Sequence, residues 1–252
     1  MWLAATALLV VGGLVGSLFA ARSVASGDTA RSRAAFKTSS GDIASTLQLA
    51  IQHENDLVVS ASGFFVGNPT ASNVEFARWV TSVAALTRYP ELLGLGHVVV
   101  VSSADLPAFA ARAVADPAGV LAANGAFVVT PPGARPYYCF AADELYRGSK
   151  PTSPAGEDYC APGPQATGLL AVEDSGQGAY LPLQFGTTTL LEIETPVYRN
   201  GVTPPTIEGR RVAFLGWVAT AVAPQIVLER ALVGYPRIAV SFHYHVGTAN
   251  VV

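Results

Sequence analysis

The sequence has few charged residues and no excess of positive charge. Only 13% of its 252 residues are Asp, Glu, Lys or Arg, and the formal net charge is −3. A protein that binds nucleic acid needs a basic surface to neutralise phosphates, so this composition argues against nucleic acid as a partner. The hydrophobic content of 50% is sufficient for a sizeable core in one or two domains.

Cysteine is also scarce, with one residue at position 139 and one at position 160. Two cysteines outside a CxxC motif cannot form a zinc site by themselves. A disulfide between Cys139 and Cys160 would suit an oxidising compartment, and closure of its loop would contribute roughly 3 kcal/mol. Two free buried thiols are the alternative.

The common catalytic motifs are missing. The sequence contains no P-loop, GxSxG, HExxH or glycine-rich kinase loop. The segment Gly94-Leu95-Gly96 lacks the third glycine of a dinucleotide-binding loop and the helix expected after it. His243 and His245 would face the same side of a strand, but no Cys, Asp or Glu lies near them in sequence as a further ligand. We therefore predict no enzyme, no metal site and no cofactor for this chain.

Proline is absent from Met1 to Asn68, and one long helix is predicted from Trp2 to about Phe65. Its first part, Trp2 to Ala21, contains no charged residue. About 20 apolar residues at ~1.5 Å each match the ~30 Å hydrocarbon core of a bilayer. We expect this part to be a transmembrane anchor, with the membrane as a partner.

Apolar residues then follow a seven-residue repeat in the predicted stalk helix, residues 22–66. Such a repeat indicates an amphipathic helix whose apolar side packs against a partner helix or against later parts of its own chain. A dimer seam and a packed spine are therefore alternatives. The repeat contains Phe36, Ile43, Leu47, Ala50, Leu57, Ala61 and Phe64.

The remaining chain alternates short helices with antiparallel strands, which indicates an α+β fold. Ser72 and Glu75 have the spacing of a capping box, so a helix should begin there. Strands are predicted at Leu95–Val101, Phe127–Thr130, Tyr137–Ala142, Ala179–Phe185, Thr188–Arg199, Arg211–Val222 and Arg237–Val246, and helices after Ser103, at Gln165–Ser175 and from Pro224 to about Val233.

Several local motifs resemble the CHASE domain, the extracellular sensory domain of histidine-kinase and cyclase receptors. Each motif is short, but their order and spacing are similar to the family from about Arg22 to Val246. The motifs are Arg88-Tyr89-Pro90 before the strand Leu95–Val101, Tyr137-Tyr138, Glu173-Asp174-Ser175-Gly176, Pro196-Val197-Tyr198-Arg199, and Thr206 to Arg211 leading to Gly216.

The resemblance implies a long helix that emerges from the membrane and two PAS-like antiparallel sheets in tandem. It also implies that the residues after about Arg22 lie outside the cytoplasm, and that a kinase or nucleotide-cyclase output domain follows this chain. The basic residues after the anchor favour the opposite orientation by the positive-inside rule. The implied domains are an anchor (1–21), a stalk (22–66), a membrane-distal ligand-binding subdomain (67–200) and an incomplete membrane-proximal subdomain (201–252).

The family binds its ligand at the distal sheet, where this chain has apolar and aromatic residues with nearby carboxylates. A carboxylate in an apolar pocket can accept a charge-assisted hydrogen bond from a ligand N–H group. Glu192 and Glu194 share one strand face, which is either part of a ligand site or an exposed sheet surface. Asp143 and Glu144 are alternative acceptors. The predicted ligand-binding residues are Tyr138, Phe140, Asp143, Glu144, Tyr180, Leu181 and Glu194.

The favoured function is a membrane-anchored, homodimeric sensor that binds a small amphipathic molecule and relays its occupancy through the long helix. The alternative is a membrane-anchored structural or assembly protein that dimerises through the apolar repeat and binds no ligand.

Overall fold

The computed structural model describes residues 2–116, 119–122, 125–148, 155–185, 188–241, 244–246 and 249–251. The chain forms two compact units. The smaller unit comprises Met1–Leu49 and Ala231–Ile238, and the larger comprises Ala50–Arg230 and Ala239–Val252.

The larger unit contains one five-stranded antiparallel sheet and a separate pair of short strands. The five strands are β1 (Leu92–Ser102), β2 (Tyr137–Tyr146), β3 (Ala179–Phe185), β4 (Thr188–Tyr198) and β5 (Phe214–Val222), and the pair is β6 (Tyr244–Val246) with β7 (Ala249–Val251). The strand order in the five-stranded sheet is β2-β1-β5-β4-β3. The segment 127–130, predicted as a strand, instead makes a single bridge between Thr130 and Glu157.

The prediction of two tandem PAS-like sheets is wrong, because the strand assigned to the second sheet belongs to the first. β5 lies between β1 and β4, where Trp217 pairs with Val98 and Val218 pairs with Thr195. Trp217 and Val218 point to opposite faces, and both are fully buried. A strand covered on both faces is stable in the middle of a sheet, so β5 completes one sheet instead of starting another.

The helices follow the predicted pattern closely at the N-terminal side. α1 (Trp2–Gly67) is continuous, in agreement with the absence of proline. The predicted capping box is present: Ser72 Oγ accepts a hydrogen bond from the Glu75 amide, and the Glu75 carboxylate accepts one from the Ser72 amide at 2.8 Å. The other helices are α2 (Asn73–Ser82), α3 (Ala85–Arg88), α4 (Leu106–Ala115), α5 (Pro164–Ser175), α6 (Ile207–Ala213) and α7 (Pro224–Ala231).

The membrane prediction is not upheld. In the part of the chain that the structure describes, no helix has the length and apolar character needed to cross a bilayer. This finding contradicts the predicted anchor at Trp2–Ala21 and the predicted location at the cell membrane that depended on it. The prediction rested on the length and the lack of charge of the apolar run and on the CHASE resemblance.

The apolar repeat of α1 has different environments along its length. Leu57 and Ala61 are buried in the core over the sheet, so this part of the helix is a packed spine. In the smaller unit Ile43 is buried, whereas Phe36 is 63% exposed in the single chain. Homodimer formation remains a prediction.

Separate apolar cores lie on the two faces of the five-stranded sheet. On one face, which we call the α1 face, Leu57 of α1 and Phe76 of α2 pack with Leu95 and Val218 of the sheet. On the opposite face, the α5 face, Leu169 and Val172 of α5 pack with Val98, Trp217, Cys139 and Cys160.

Candidate binding pocket

A small enclosed cavity of about 30 Å³ lies on the α5 face of the sheet. Its floor is formed where the two central strands carry their smallest side chains. Gly96 of β1 pairs with Ala219 of β5, and Gly94 pairs with Ala221. These residues leave free space above the sheet, into which longer side chains from the outer strands can extend.

One row of residues across the sheet places two glutamates on opposite sides of this floor. Glu144 of β2 pairs with Gly96, and Glu194 of β4 pairs with Ala219. Paired residues project from the same face, so both glutamates lie on the α5 face. Three strand spacings separate the backbones of β2 and β4, which is roughly 14 Å. Both carboxylates therefore extend inward over small residues.

The neighbouring row adds a tyrosine and a third glutamate. Tyr146 of β2 pairs with Gly94, and Glu192 of β4 pairs with Ala221. All four of these positions line the same cavity. We call this site, bounded by Glu144, Tyr146, Glu192 and Glu194 and covered by Tyr159 and Leu169, the acidic pocket.

The glycines of β1 are required by the side chains that cross them. A Cβ atom at residue 94 would lie 2.5 Å from Tyr146 Cε1, and one at residue 96 would lie 2.9 Å from the Asp143 carbonyl oxygen. Neither distance is compatible with an unchanged structure. Gly94 and Gly96 thus allow β2 to approach β1 closely at the floor of the cavity. They do not belong to a nucleotide-binding motif.

The cover of the pocket is held to the sheet by several specific contacts. Cys139 of β2 and Cys160 form a disulfide, and Asp158 Oδ1 accepts hydrogen bonds from the amides of both cysteines at 2.8 and 3.0 Å. Arg135 makes an ion pair of 3.0 Å with the buried Asp158 carboxylate. These contacts fix the segment that carries Tyr159.

α5 is fixed by one buried hydrogen bond. The indole Nε1 of Trp217 on β5 donates to the carbonyl oxygen of Leu169 at 3.1 Å, and Trp217 is fully buried. The helix that covers the pocket is thus positioned directly from the central strand.

The acidic pocket contains a buried carboxyl group with an unpaired oxygen atom. Glu194 is 4% exposed, and within the described residues its Oε2 atom has no hydrogen-bond partner. Burial, together with the nearby Glu192 charge, raises the pKa of Glu194 well above its ordinary value. Burial also raises the pKa of Glu192, and the charges of Glu144 and Glu157 raise it further.

Tyr146 completes the polar wall. Its hydroxyl donates a long hydrogen bond of 3.5 Å to Glu144 Oε1. Burial raises the pKa of Tyr146 above its ordinary value, and the adjacent Glu144 charge acts in the same direction. The tyrosine is therefore a neutral hydrogen-bond donor at the edge of the pocket.

Of the residues predicted to bind a ligand, three lie near this site. Glu144 and Glu194 form its walls. Leu181 of β3 pairs with Glu192 and approaches α5, with Cδ2 3.8 Å from where a Cβ of Gly168 would lie. The burial of Glu194 excludes the exposed-surface alternative for that residue.

The other four predicted residues lie elsewhere. Tyr138 and Phe140 are buried in a core with Phe109 of α4. Tyr180 pairs with Ile193, whose side chain belongs to the core of the α1 face, and it is 45% exposed. The structure therefore does not bring these side chains into the acidic pocket.

Asp143 lies in a second and larger cavity on the α1 side. This groove has a volume of about 710 Å³ and is lined by β1, α4 and the segment before α2. The Asp143 carboxylate is 3.7 Å from His97 Nδ1, and the His97 ring stacks on Phe65 with a centroid distance of 3.8 Å. Asp143 and Glu144 are thus not alternatives for one site, because adjacent strand residues face opposite sides.

Sequence reasoning missed several pocket residues, although a signal for them exists. Small or acidic residues recur with period two in three strands, at Gly94 and Gly96, at Ala219 and Ala221, and at Glu192 and Glu194. Period two marks one face of a strand. The pattern could identify a face without bulky side chains, but it does not reveal that these strands are neighbours.

No cluster of three or more His, Cys, Asp or Glu side chains suited to a metal ion occurs among the described residues. The predicted histidine pair on the last strand is not tested, since His243 lies outside the described residues. Comparison with known protein families and with curated proteins finds no match to this sequence. The resemblance to the CHASE domain stays a prediction.

Proposed function

We propose that this chain is a ligand-binding sensory domain and that its small-molecule ligand occupies the acidic pocket. The observation that carries the proposal is the buried carboxyl group of Glu194, whose Oε2 atom has no hydrogen-bond partner among the described residues. An unpaired buried polar atom costs about 1–3 kcal/mol. A ligand that donates a hydrogen bond to Glu194 would remove this cost.

The position of the floor strand supports a sensory role. Ala219 and Ala221 of β5 face the pocket, and Thr220 between them faces α1. The Thr220 hydroxyl donates to Glu54 Oε1 of α1 at 3.0 Å. A ligand that shifts β5 would therefore act directly on a hydrogen bond to the long helix. This coupling agrees with what the CHASE resemblance implies for the direction of signalling.

A thermal-shift panel on the full chain tests the proposal. The panel contains small amines, amino acids, nucleobases, carboxylates and sugars, each measured separately. A ligand at 100 times its Kd stabilises the folded state by about 2.7 kcal/mol, which gives a clear shift in Tm. We expect at least one compound to stabilise the protein.

Two leucine substitutions locate the binding site. Ala219→Leu places a branched side chain in the pocket and should abolish the Tm shift. Ala171→Leu, at an exposed position on α5, is the matched control and should preserve it. The proposal fails if no compound in the panel binds, or if the compounds that bind act equally on the Ala219→Leu variant.

A further inference from the structure

Carboxyl groups line the acidic pocket on both sides, and the buried Oε2 atom of Glu194 has no hydrogen-bond partner among the described residues. Three carboxylates, those of Glu144, Glu192 and Glu194, face one small space. The described residues that line it include no arginine or lysine. A molecule that enters this space therefore meets carboxyl groups from both β2 and β4.

Two arginines of the adjoining segments are engaged in other contacts. Arg135 pairs with Asp158 beneath the disulfide. Arg147, directly after Tyr146 in sequence, donates to the backbone carbonyl oxygens of Leu92 at 3.2 Å and Tyr89 at 3.1 Å. Both arginine side chains are therefore engaged in contacts outside the acidic pocket.

We infer that the acidic pocket binds an organic amine through its protonated ammonium group. This inference rests on the proposed function and specifies the class of ligand. An ammonium group is compact and has three N–H donors, which matches a small cavity surrounded by carboxylates. The volume of about 30 Å³ accommodates the ammonium group and leaves the rest of the ligand at the half-buried edge formed by Tyr146 and Glu192.

The aromatic residues of the pocket suit the same ligand class. Tyr146 and Tyr159 both line the cavity, and a cation near an aromatic face is stabilised by the charge distribution of the ring. Leu169 offers an apolar surface to the carbon atoms next to the nitrogen. An ammonium group supplies three N–H donors to these carboxyl groups, whereas a neutral alcohol supplies one O–H donor and a carboxylate ligand supplies none.

Binding of a cation should be coupled to proton release. The groups that face Glu192 and Glu194 are Glu144 and Tyr146 from β2 and Glu157 and Tyr159 from the covering segment. Since burial and mutual repulsion raise the pKa of both glutamates, the empty pocket retains protons that an exposed glutamate would lose. An ammonium ligand favours the ionised carboxylates, so affinity should rise with pH.

Three probes of similar size and different charge test this inference: propylammonium, 1-propanol and propionate. Their binding to the full chain is followed by titration of ¹H–¹⁵N NMR spectra at pH 6, 7 and 8. We expect propylammonium to bind at least 10-fold more tightly than either other probe. Its affinity should increase with pH, by up to 10-fold per pH unit for each proton released.

Charge-removing variants assign the effect to the pocket. Glu194→Gln keeps the shape of the side chain and should weaken propylammonium binding at least 10-fold and reduce its pH dependence. Glu208→Gln, at an exposed position in α6, is the control and should change neither quantity.

The inference and the proposed function can fail separately. If 1-propanol binds as tightly as propylammonium and Ala219→Leu blocks both, the pocket is a binding site but the assignment of a cationic ligand is wrong. If propylammonium binding is unchanged by Glu194→Gln and by Ala219→Leu, the amine binds elsewhere and the inference is overturned. If neither the three probes nor any panel compound binds, both proposals fail.

Discussion

The two faces of the five-stranded sheet are built from different kinds of residue. The α1 face is covered by large apolar side chains, among them Phe65 and Phe76, which pack at a ring-centroid distance of 5.2 Å. The α5 face has glycine and alanine at its centre and glutamates around them. Both faces use the same strands, so the difference arises from alternate residues of each strand.

The comparison shows that the apolar packing of the α1 face stabilises the fold, whereas the α5 face retains a polar cavity at a cost in stability. Close apolar packing contributes about 1.5–3 kcal/mol for each large side chain that is buried. Buried glutamates oppose folding unless they are neutralised or paired. Substitutions on the α1 face should therefore lower stability without changing ligand specificity. Neutral substitutions among the pocket carboxylates should change ligand specificity and remove part of the cost in stability.

The largest effect is expected on the α1 face. Phe76 is fully buried against Phe65 and Trp79, and Phe76→Ala should lower the free energy of unfolding by about 3–5 kcal/mol. Urea denaturation followed by circular dichroism measures the change. Val74→Ala, at an exposed position of the same helix, is the control and should change stability by less than about 1 kcal/mol. Equal effects of the two substitutions would show that α2 does not pack as described.

A smaller effect is expected from the covalent link that holds the cover of the α5 face. The Cys139–Cys160 disulfide closes a loop with a sequence separation of 21 residues. Replacing both cysteines by alanine should lower stability by about 3 kcal/mol through the entropy of the unfolded chain. It should also lower the affinity of any ligand for the acidic pocket, because the segment with Tyr159 is then held less firmly. A reductant should destabilise the unchanged protein but not the double variant, and a similar response of both would contradict this prediction.

The smallest effect concerns an ionisable group between β5 and α1. Burial raises the pKa of Glu54 from 4.5 to about 7, and the hydrogen bond from Thr220 offsets only part of the shift. Between these values the folded state holds a proton that the unfolded state has lost. Stability from this group is therefore present below pH 4.5 and is lost as the pH rises to about 7, by about 2–3 kcal/mol.

Glu54→Gln, which retains an amide acceptor for Thr220, should remove this component of the pH dependence. Stability of the variant and the unchanged protein is compared by urea denaturation at pH 5 and pH 8. The variant should be the more stable one at pH 8 and nearly equal at pH 5. Asp56→Asn, an exposed neighbour on α1, should have no such effect. If the two substitutions behave alike, Glu54 does not titrate in the way we describe.

Local features of the fold were predictable because their causes lie within a few residues. The absence of proline up to Asn68 predicted the continuous α1, and the spacing of Ser72 and Glu75 predicted the start of α2. The number of sheets was not predictable in the same way. Arg211–Val222 was correctly interpreted as containing a strand, but it pairs both with the preceding strand β4 and with β1, which is far away in sequence.

The candidate site shows the same division. Glu144 was predicted because it follows an apolar strand, and Glu194 because it shares a strand face with Glu192 in the region that the CHASE resemblance assigns to the ligand. Asp143 could not be separated from Glu144. Strand alternation requires that these adjacent residues face opposite sides, but only the position of α1 and α5 decides which side holds the pocket. The need for glycine at residue 94 became clear only from the structure, in which the Tyr146 ring lies too close for a Cβ atom.

The sequence by itself determined the long first helix, the antiparallel strands and the strand-face alternation that aligns Glu192 with Glu194. Each of these follows from local backbone geometry or from a short repeat in side-chain polarity. The tertiary structure decided that β5 joins β1 to β4, and that the glutamates of two distant strands face one cavity under α5. The physical reason is that strand pairing and burial are set by the packing of the whole chain, in which residues 50 positions apart become neighbours in one row of the sheet.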